Sequence, residues 1–135
     1  MKLASGIGII YRDLILLAKR IEQWGGNPVP LGGYWSIFAG SLEGEESFQD
    51  CAIRETYEET EIKIDNHQLI DGCIIKNNKL RFKVFFVEMP YKPIPILNEE
   101  HTEYEWFDIN KIKDFPYSIQ EDLIKCIENY KNGVL

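Results

Sequence analysis

The sequence predicts an α/β sandwich in which a mixed β-sheet carries two helices. Apolar runs rich in β-branched and aromatic residues recur along the chain between turn residues, as strands do. Two longer stretches lack Pro and Gly and carry either a helix-start signal or an apolar face at helical spacing. Strands interleaved with helices are the pattern of layered α/β architecture.

The elements follow in order. "SGIGIIY" and "LILLAKR" are apolar runs split by Arg12 and Asp13, which predicts two strands joined by a tight turn. "EQWGGNPVPLGGY" reads as a loop, because its four glycines and two prolines interrupt regular structure. "WSIFAG" is a short strand ending at Gly40. Ser47 with Asp50 three residues later resembles a capping box, which sets the first helix at about 47–60. "LIDGCIIK" and "LRFKVFFVEM" are strands about the turn "NNK", and "YEWFDI" is another. The closing helix is expected at about 118–131, with Ile119, Leu123, Ile124 and Ile127 on one face.

A chain of 135 residues with 44% hydrophobic and 13% aromatic content has core enough for one domain, expected to span 1–135. Cys51, Cys73 and Cys126 are odd in number and widely spaced, so buried thiols are expected rather than a disulfide framework or a zinc site. The first apolar run is broken at Arg12 before it reaches signal or membrane-spanning length, which predicts a soluble cytoplasmic protein without a membrane partner. The net charge of −7 comes with no basic stripe, which argues against long nucleic acids as partners. A homodimer is an allowed assembly.

The acidity is local. Glu43 to Glu61 holds eight acids and one base, Arg54, for −7, and the remainder is neutral. Glu55, Glu58 and Glu59 sit three and four residues apart, so their carboxylates share one side of the predicted helix. Each like-charge pair costs roughly 0.2 to 0.5 kcal/mol in an isolated helix, without a structural return. A divalent cation reverses that sign, and Mg²⁺ in particular takes one or two protein carboxylates together with substrate phosphates. The competing reading is a solvated acidic helix face.

The spacing decides between the two. From Gly40, five residues lead to Glu46, seven more to Arg54, and then come Glu55, Thr56, Tyr57, Glu58, Glu59, Thr60, Glu61 and Ile62. This resembles the Nudix box, G-x5-E-x7-R-E-U-x-E-E-x-G-U, with seven of its nine defined positions matched. "WSIFAG" and "EEHTEYEWFDI" resemble the flanking strands of that family of MutT-like hydrolases. The resemblance implies a Nudix α/β/α sandwich and a pyrophosphatase that uses Mg²⁺, with Mn²⁺ as substitute, to open a nucleoside diphosphate linked to a further group. It makes Glu58 and Glu59 the principal metal ligands, with Glu55 as ligand or general base and a backbone carbonyl near Ala39 and Gly40 completing the set. Arg54 would orient carboxylates by a forked hydrogen bond. Glu46 would support the site or favour the helix start.

Two box positions depart from the pattern. Thr56 stands at an aliphatic position, where its hydroxyl is expected to bond a carbonyl one turn earlier. Glu61 stands at the glycine that ends the helix, where a left-handed non-glycine residue costs roughly 1 to 2 kcal/mol. Just upstream, Ala39 replaces the first glycine of many members. Relatives often bring a further carboxylate from the later strand, where Glu103 is preferred over Glu105; the competing reading is that "EEHTEYE" is a solvated edge and His101 a surface residue. Trp24, Tyr34, Trp35, Phe82 and Phe86 could each offer a stacking face. No Pro or Tyr occurs between Asp65 and Val87, so markers of some Nudix subgroups are missing. Elimination leaves a small-molecule nucleotide, a nucleoside or deoxynucleoside triphosphate cleaved to monophosphate and pyrophosphate. Dinucleoside polyphosphates, nucleotide sugars, or a Nudix-like binding module without turnover are the alternatives.

Overall fold

The apolar run at the amino end becomes β1 (Lys2–Tyr11), the central strand of a computed structural model that describes residues 1–134. Its residues from Ala4 to Ile10 are all buried because both faces are covered, which is why the run lacks polar alternation. Arg12, at φ 52, turns the chain into β2 (Leu14–Arg20), antiparallel to β1 through Ile10↔Ile15. The "WSIFAG" segment changes partner midway. β5 (Trp35–Ser36) pairs with β2, whereas β6 (Phe38–Ser41) crosses to pair with β1. β7 (Ile70–Lys76) and β8 (Leu80–Glu88) form the predicted hairpin, and β8 lies parallel to β1. β9 (His101–Asp108) pairs antiparallel with β2. The sheet is therefore mixed, in the order β5-β2-β1-β8-β7 with β6 on β1 and β9 on β2.

A helix covers each face. α1 (Phe48–Thr60) buries Ala52 against Ile7, Ile9, Leu16, Phe38 and Phe85. α2 (Glu121–Lys131) buries Leu123 and Ile127 against Ile10, Ile15, Leu17 and Phe86 on the other side. Each such fully buried aliphatic or Phe side chain contributes roughly 1.5 to 3 kcal/mol over leaving it in water. Two bonds fix the entry to α1. Ser47 Oγ accepts from the Asp50 amide at 3.0 Å, and Ser5 on β1 donates its hydroxyl to the Phe48 carbonyl at 2.7 Å.

Four expectations are corrected. The segment read as loop contains a small hairpin, β3 (Gln23–Trp24) and β4 (Asn27–Pro28), turned by Gly25 and Gly26 at φ 59 and 83. α2 begins at Glu121 rather than 118, because Ser118 and Ile119 are taken up at the sheet edge. There the Trp35 amide donates to the Ser118 carbonyl at 2.8 Å and Trp35 bridges Ile119. Cys73 and Cys126 form a disulfide, leaving only Cys51 as a buried thiol. Their sequence separation of 53 carries no signal, and only the packing of α2 on β7 brings the Cα atoms to 5.8 Å. Lastly, the Thr56 hydroxyl is buried without a partner among the described residues, while Thr60 Oγ1 donates to the Thr56 carbonyl at 2.6 Å and accepts from the Ile62 amide at 3.0 Å.

α1 ends as the Nudix box requires despite its missing glycine. Glu61 is left-handed, at φ 61 and ψ 16, and its amide reaches the Tyr57 carbonyl at 2.8 Å. Glu61→Gly should therefore stabilise the fold. The strain of roughly 1 to 2 kcal/mol exceeds the roughly 0.5 to 1 kcal/mol entropy penalty of glycine, and an anion leaves a helix carboxyl end. A urea midpoint below that of the parent would show that Glu61 makes a compensating contact.

Candidate functional site

The sequence turns at the end of β6 and enters α1 so that the helix lies directly over Gly40. Glu55, about two turns into α1, points back at the strand, and its carboxylate occupies the space a side chain at residue 40 would need. A Cβ on Gly40 would sit 2.1 Å from the Glu55 carboxyl carbon and 2.3 and 2.4 Å from its oxygens. Glu59, one turn later, is 1% exposed and ranks among the largest fully buried side chains. Glu100 arrives from the turn before β9, set by Asn98, whose Oδ1 accepts from the Glu100 amide at 3.0 Å and whose Nδ2 donates to Glu100 Oε2 at 3.3 Å. Oxygens of Glu55, Glu59 and Glu100 lie within 4.8 Å of one another.

Arg54 organises the carboxylates around this cluster. Its Nε and Nη2 grip Glu46 as a fork at 2.7 and 2.8 Å, and Nη1 donates to Glu55 and to Glu58, each at 2.9 Å. Nη2 also reaches the Ser41 carbonyl at 3.1 Å. The Arg54 bonds hold the Glu46 carboxyl down to a pKa of about 2, and Glu46 in turn raises that of Arg54. Arg54 is thus permanently charged and tied at four points, which fixes where Glu55 can lie.

The buried carboxylate is held in the opposite condition. Burial, a hydrogen bond with Glu55, and the charges of Glu100 and Glu55 push Glu59 well above the ordinary carboxylate range, against a smaller pull from the Ala39 amide. Its Oε2 has no hydrogen-bond partner among the described residues. His101 is likewise buried, at 8% exposed, which corrects the surface reading. It packs edge-on to Phe38, and its Nδ1 lies 3.8 Å from Glu59 Oε1 and has no hydrogen-bond partner among the described residues. Burial and the charge of Arg20 lower the imidazole pKa to about 4, so His101 is neutral. Both groups shift toward neutrality, and the close approach is therefore not an ion pair.

Three acidic oxygens, one of them buried and unsatisfied, fit a hard divalent cation, which would restore the charge that burial suppresses. Of the residues expected to share the site, Glu55 and Glu59 come together over Gly40. Glu58 does not join them: its side chain is 49% exposed and turned to Arg54. The Gly40 carbonyl accepts from the Cys51 thiol, at 3.4 Å. Glu103 and Glu105 share the sheet face opposite α1, because their β2 partners Lys19 and Leu17 point that way, and Glu103 pairs with Lys19 at 3.6 Å. Glu100 was the residue missed. It precedes β9, so strand alternation does not reach it, although it closes the "NEE" stretch whose Asn98 is a turn signal.

A model of the NUDIX domain matches residues 2–129. An uncharacterized Nudix hydrolase, YvcI of Bacillus subtilis, is 34% identical over 95 residues, covering 64% of this chain and 59% of the relative. The dihydroneopterin triphosphate diphosphatase of Haemophilus influenzae is 29% identical over 102 residues, covering 75% of this chain and 61% of the relative. The matched stretch thus spans about three fifths of each relative's length. Among solved structures, the MutT protein of Methanosarcina mazei superposes with a TM-score of 0.76 at 18% identity, covering 98% of this chain and 94% of that one, a likeness of fold. Among the described residues no helix is long and apolar enough to cross a membrane.

Proposed function

The chain belongs to the Nudix family, and from that premise we propose that it is a divalent-metal pyrophosphohydrolase acting on a nucleoside diphosphate linked to a further group. The preferred class is a nucleoside or deoxynucleoside triphosphate, cleaved to monophosphate and pyrophosphate. A relative named for a triphosphate substrate supports that class. Dinucleoside polyphosphates and nucleotide sugars are the alternative substrates, and the proposed setting is cytoplasmic, without long nucleic acid. The observation that carries the reading is the buried Glu59 oxygen left without a partner beside Glu55 and Glu100.

Mg²⁺ or Mn²⁺ bound there would neutralise phosphate oxygens and acidify a water. Glu55, Glu59 and Glu100 are the residues to hold it, and Glu58 joins only by giving up its bond to Arg54. Glu55 is also placed to accept a proton from the attacking water, since it borders the cluster and is held by one Arg54 hydrogen bond at 2.9 Å. Arg54 positions Glu55, and Glu46 anchors Arg54 in turn. Gly40 leaves the volume that Glu55 occupies.

The test is a phosphate-release screen of nucleotides, dinucleotides and nucleotide sugars with Mg²⁺ or Mn²⁺, run beside thermal unfolding. Cation at about 100 times its dissociation constant should stabilise the fold by about 2.7 kcal/mol, whereas NaCl at matched ionic strength should do less. Equal shifts from NaCl would leave a solvated acidic helix face. A metal-specific shift with no release from any compound would leave a binding module.

A further inference from the structure

Next to the carboxylate cluster opens a pocket of about 300 Å³, lined by Arg20, Ile21, Trp24, Val29, Glu99 and Glu100. Backbone bonds build it. The Ile21 amide donates to the Glu100 carbonyl at 2.9 Å and the Val29 amide to the Glu22 carbonyl at 3.1 Å, which hold the end of β2, the β3–β4 hairpin and the turn before β9 together. Glu100 belongs to both pocket and cluster, so whatever fills the one adjoins the other.

Two side chains give the pocket its chemistry. Trp24 is 60% exposed and stacks on no other ring among the described residues, whereas Trp35 is 5% exposed and already stacked on Tyr117. A large apolar ring held in water on a two-residue strand is costly unless something covers it, and its face suits another flat ring. Arg20 donates Nε to the Pro30 carbonyl at 2.9 Å and enters no ion pair among the described residues. In a chain of net charge −7, a guanidinium that lines such a pocket without a carboxylate partner among the described residues is suited to a phosphate.

We propose that this pocket is the substrate's base subsite: a purine or pyrimidine ring stacks on Trp24, and Arg20 meets the phosphate chain that runs on toward Glu55, Glu59 and Glu100. The assignment rests on the pyrophosphohydrolase reading above and makes Trp24 a specificity-determining residue for it. The volume is at the lower end for ligand pockets and suits one nucleoside. Glu99 at the rim would accept hydrogen bonds from sugar hydroxyls or amino groups and repel phosphate, which orients the nucleotide with its ring outward from the cluster.

The probes are α,β-methylene nucleoside triphosphates of the four common bases and inorganic tripolyphosphate, each added to the full chain with Mn²⁺ while tryptophan fluorescence is followed. At least one nucleotide analogue should quench the exposed-tryptophan emission, and tripolyphosphate should not. Trp24→Leu should abolish that quenching and raise KM for the best substrate of the release screen by about 5- to 140-fold, the equivalent of one base stack, with kcat little changed. Trp24→Phe should recover most of the affinity. Arg20→Gln should weaken analogue and tripolyphosphate alike. Quenching that survives in Trp24→Leu, equal quenching by tripolyphosphate, or an unchanged KM would overturn the subsite. So would an absence of quenching by every analogue. The Mn²⁺-induced thermal shift separates the two readings: if it persists in Trp24→Leu while the subsite test fails, the metal hydrolase stands and only the subsite falls.

Discussion

Glu59→Gln should lower metal-dependent turnover by at least about 100-fold, the upper end of what losing a residue behind the ligands costs, and should abolish the stabilisation by Mg²⁺ or Mn²⁺. Gln is nearly isosteric and leaves no cavity, so the variant should fold. In the absence of metal it should even be the more stable protein at neutral and alkaline pH. The folded-state pKa of Glu59 is raised above its ordinary 4.5, so the folded chain retains a proton that the unfolded chain has lost. Stability of the metal-free parent therefore falls as pH rises from about 4.5 toward that raised value. Glutamine does not titrate and removes this slope. The gain from cation in the parent should grow over the same window, because the cation displaces that proton. Unfolding midpoints of parent and variant across pH, with and without Mn²⁺, measure all of this. Parallel pH curves for the two proteins would show that Glu59 is ionised in the metal-free fold.

Gly40→Ala should damage the site while sparing the fold. The new Cβ would fall 2.1 Å from the Glu55 carboxyl carbon, far inside any tolerable contact. The atoms in the way are the end of a flexible side chain, so Glu55 would swing aside, leaving its place over Gly40 and its 2.9 Å bond to Arg54. Turnover and cation affinity should fall by roughly 10- to 100-fold, the range seen when a ligand loses its positioning partner. Stability should change by less than the roughly 1 to 3 kcal/mol typical of overpacked cores. Isothermal titration with Mn²⁺ beside a melting curve separates the effects. Full cation affinity in Gly40→Ala would remove Glu55 from the proposed ligand set.

The box helix and its left-handed exit at Glu61 were legible in the sequence because both depend on neighbours along the chain. Helical spacing put Glu55 and Glu59 on one side, and a fixed pattern position stated where the chain must turn. Glu58 was legible as a neighbour of both, but its rotamer answers to Arg54, which also binds Glu46 and Glu55. Glu100 was hidden for a different reason. Its place depends on Asn98 and on the irregular pairing of β9 with β2 near Lys19 and Arg20, which no period describes. Glu103 satisfied the alternation rule yet faces the α2 side with Lys19. The bond to a carbonyl one turn back that was expected of Thr56 is made by Thr60 instead, whose hydroxyl also accepts from the Ile62 amide where the helix ends.

The bond between Cys73 and Cys126 divides the chain into a closed ring and an open remainder. Glu100 lies within the ring, together with most of β7 and all of β8 and β9, whereas Gly40, Arg54, Glu55 and Glu59 lie in the segment before it. Assembly of the carboxylate cluster is thus a docking of two pieces with different freedom. Once the bond exists, the ring keeps β7, β8 and α2 near one another even in the unfolded chain, and the loop-closure entropy between them is already spent. The search that remains is that of β1 and β2 for β8 and β9, two pairings of large sequence separation that carry Glu100 to α1. The candidate site is therefore complete only once the least local strand pairings of the chain are made.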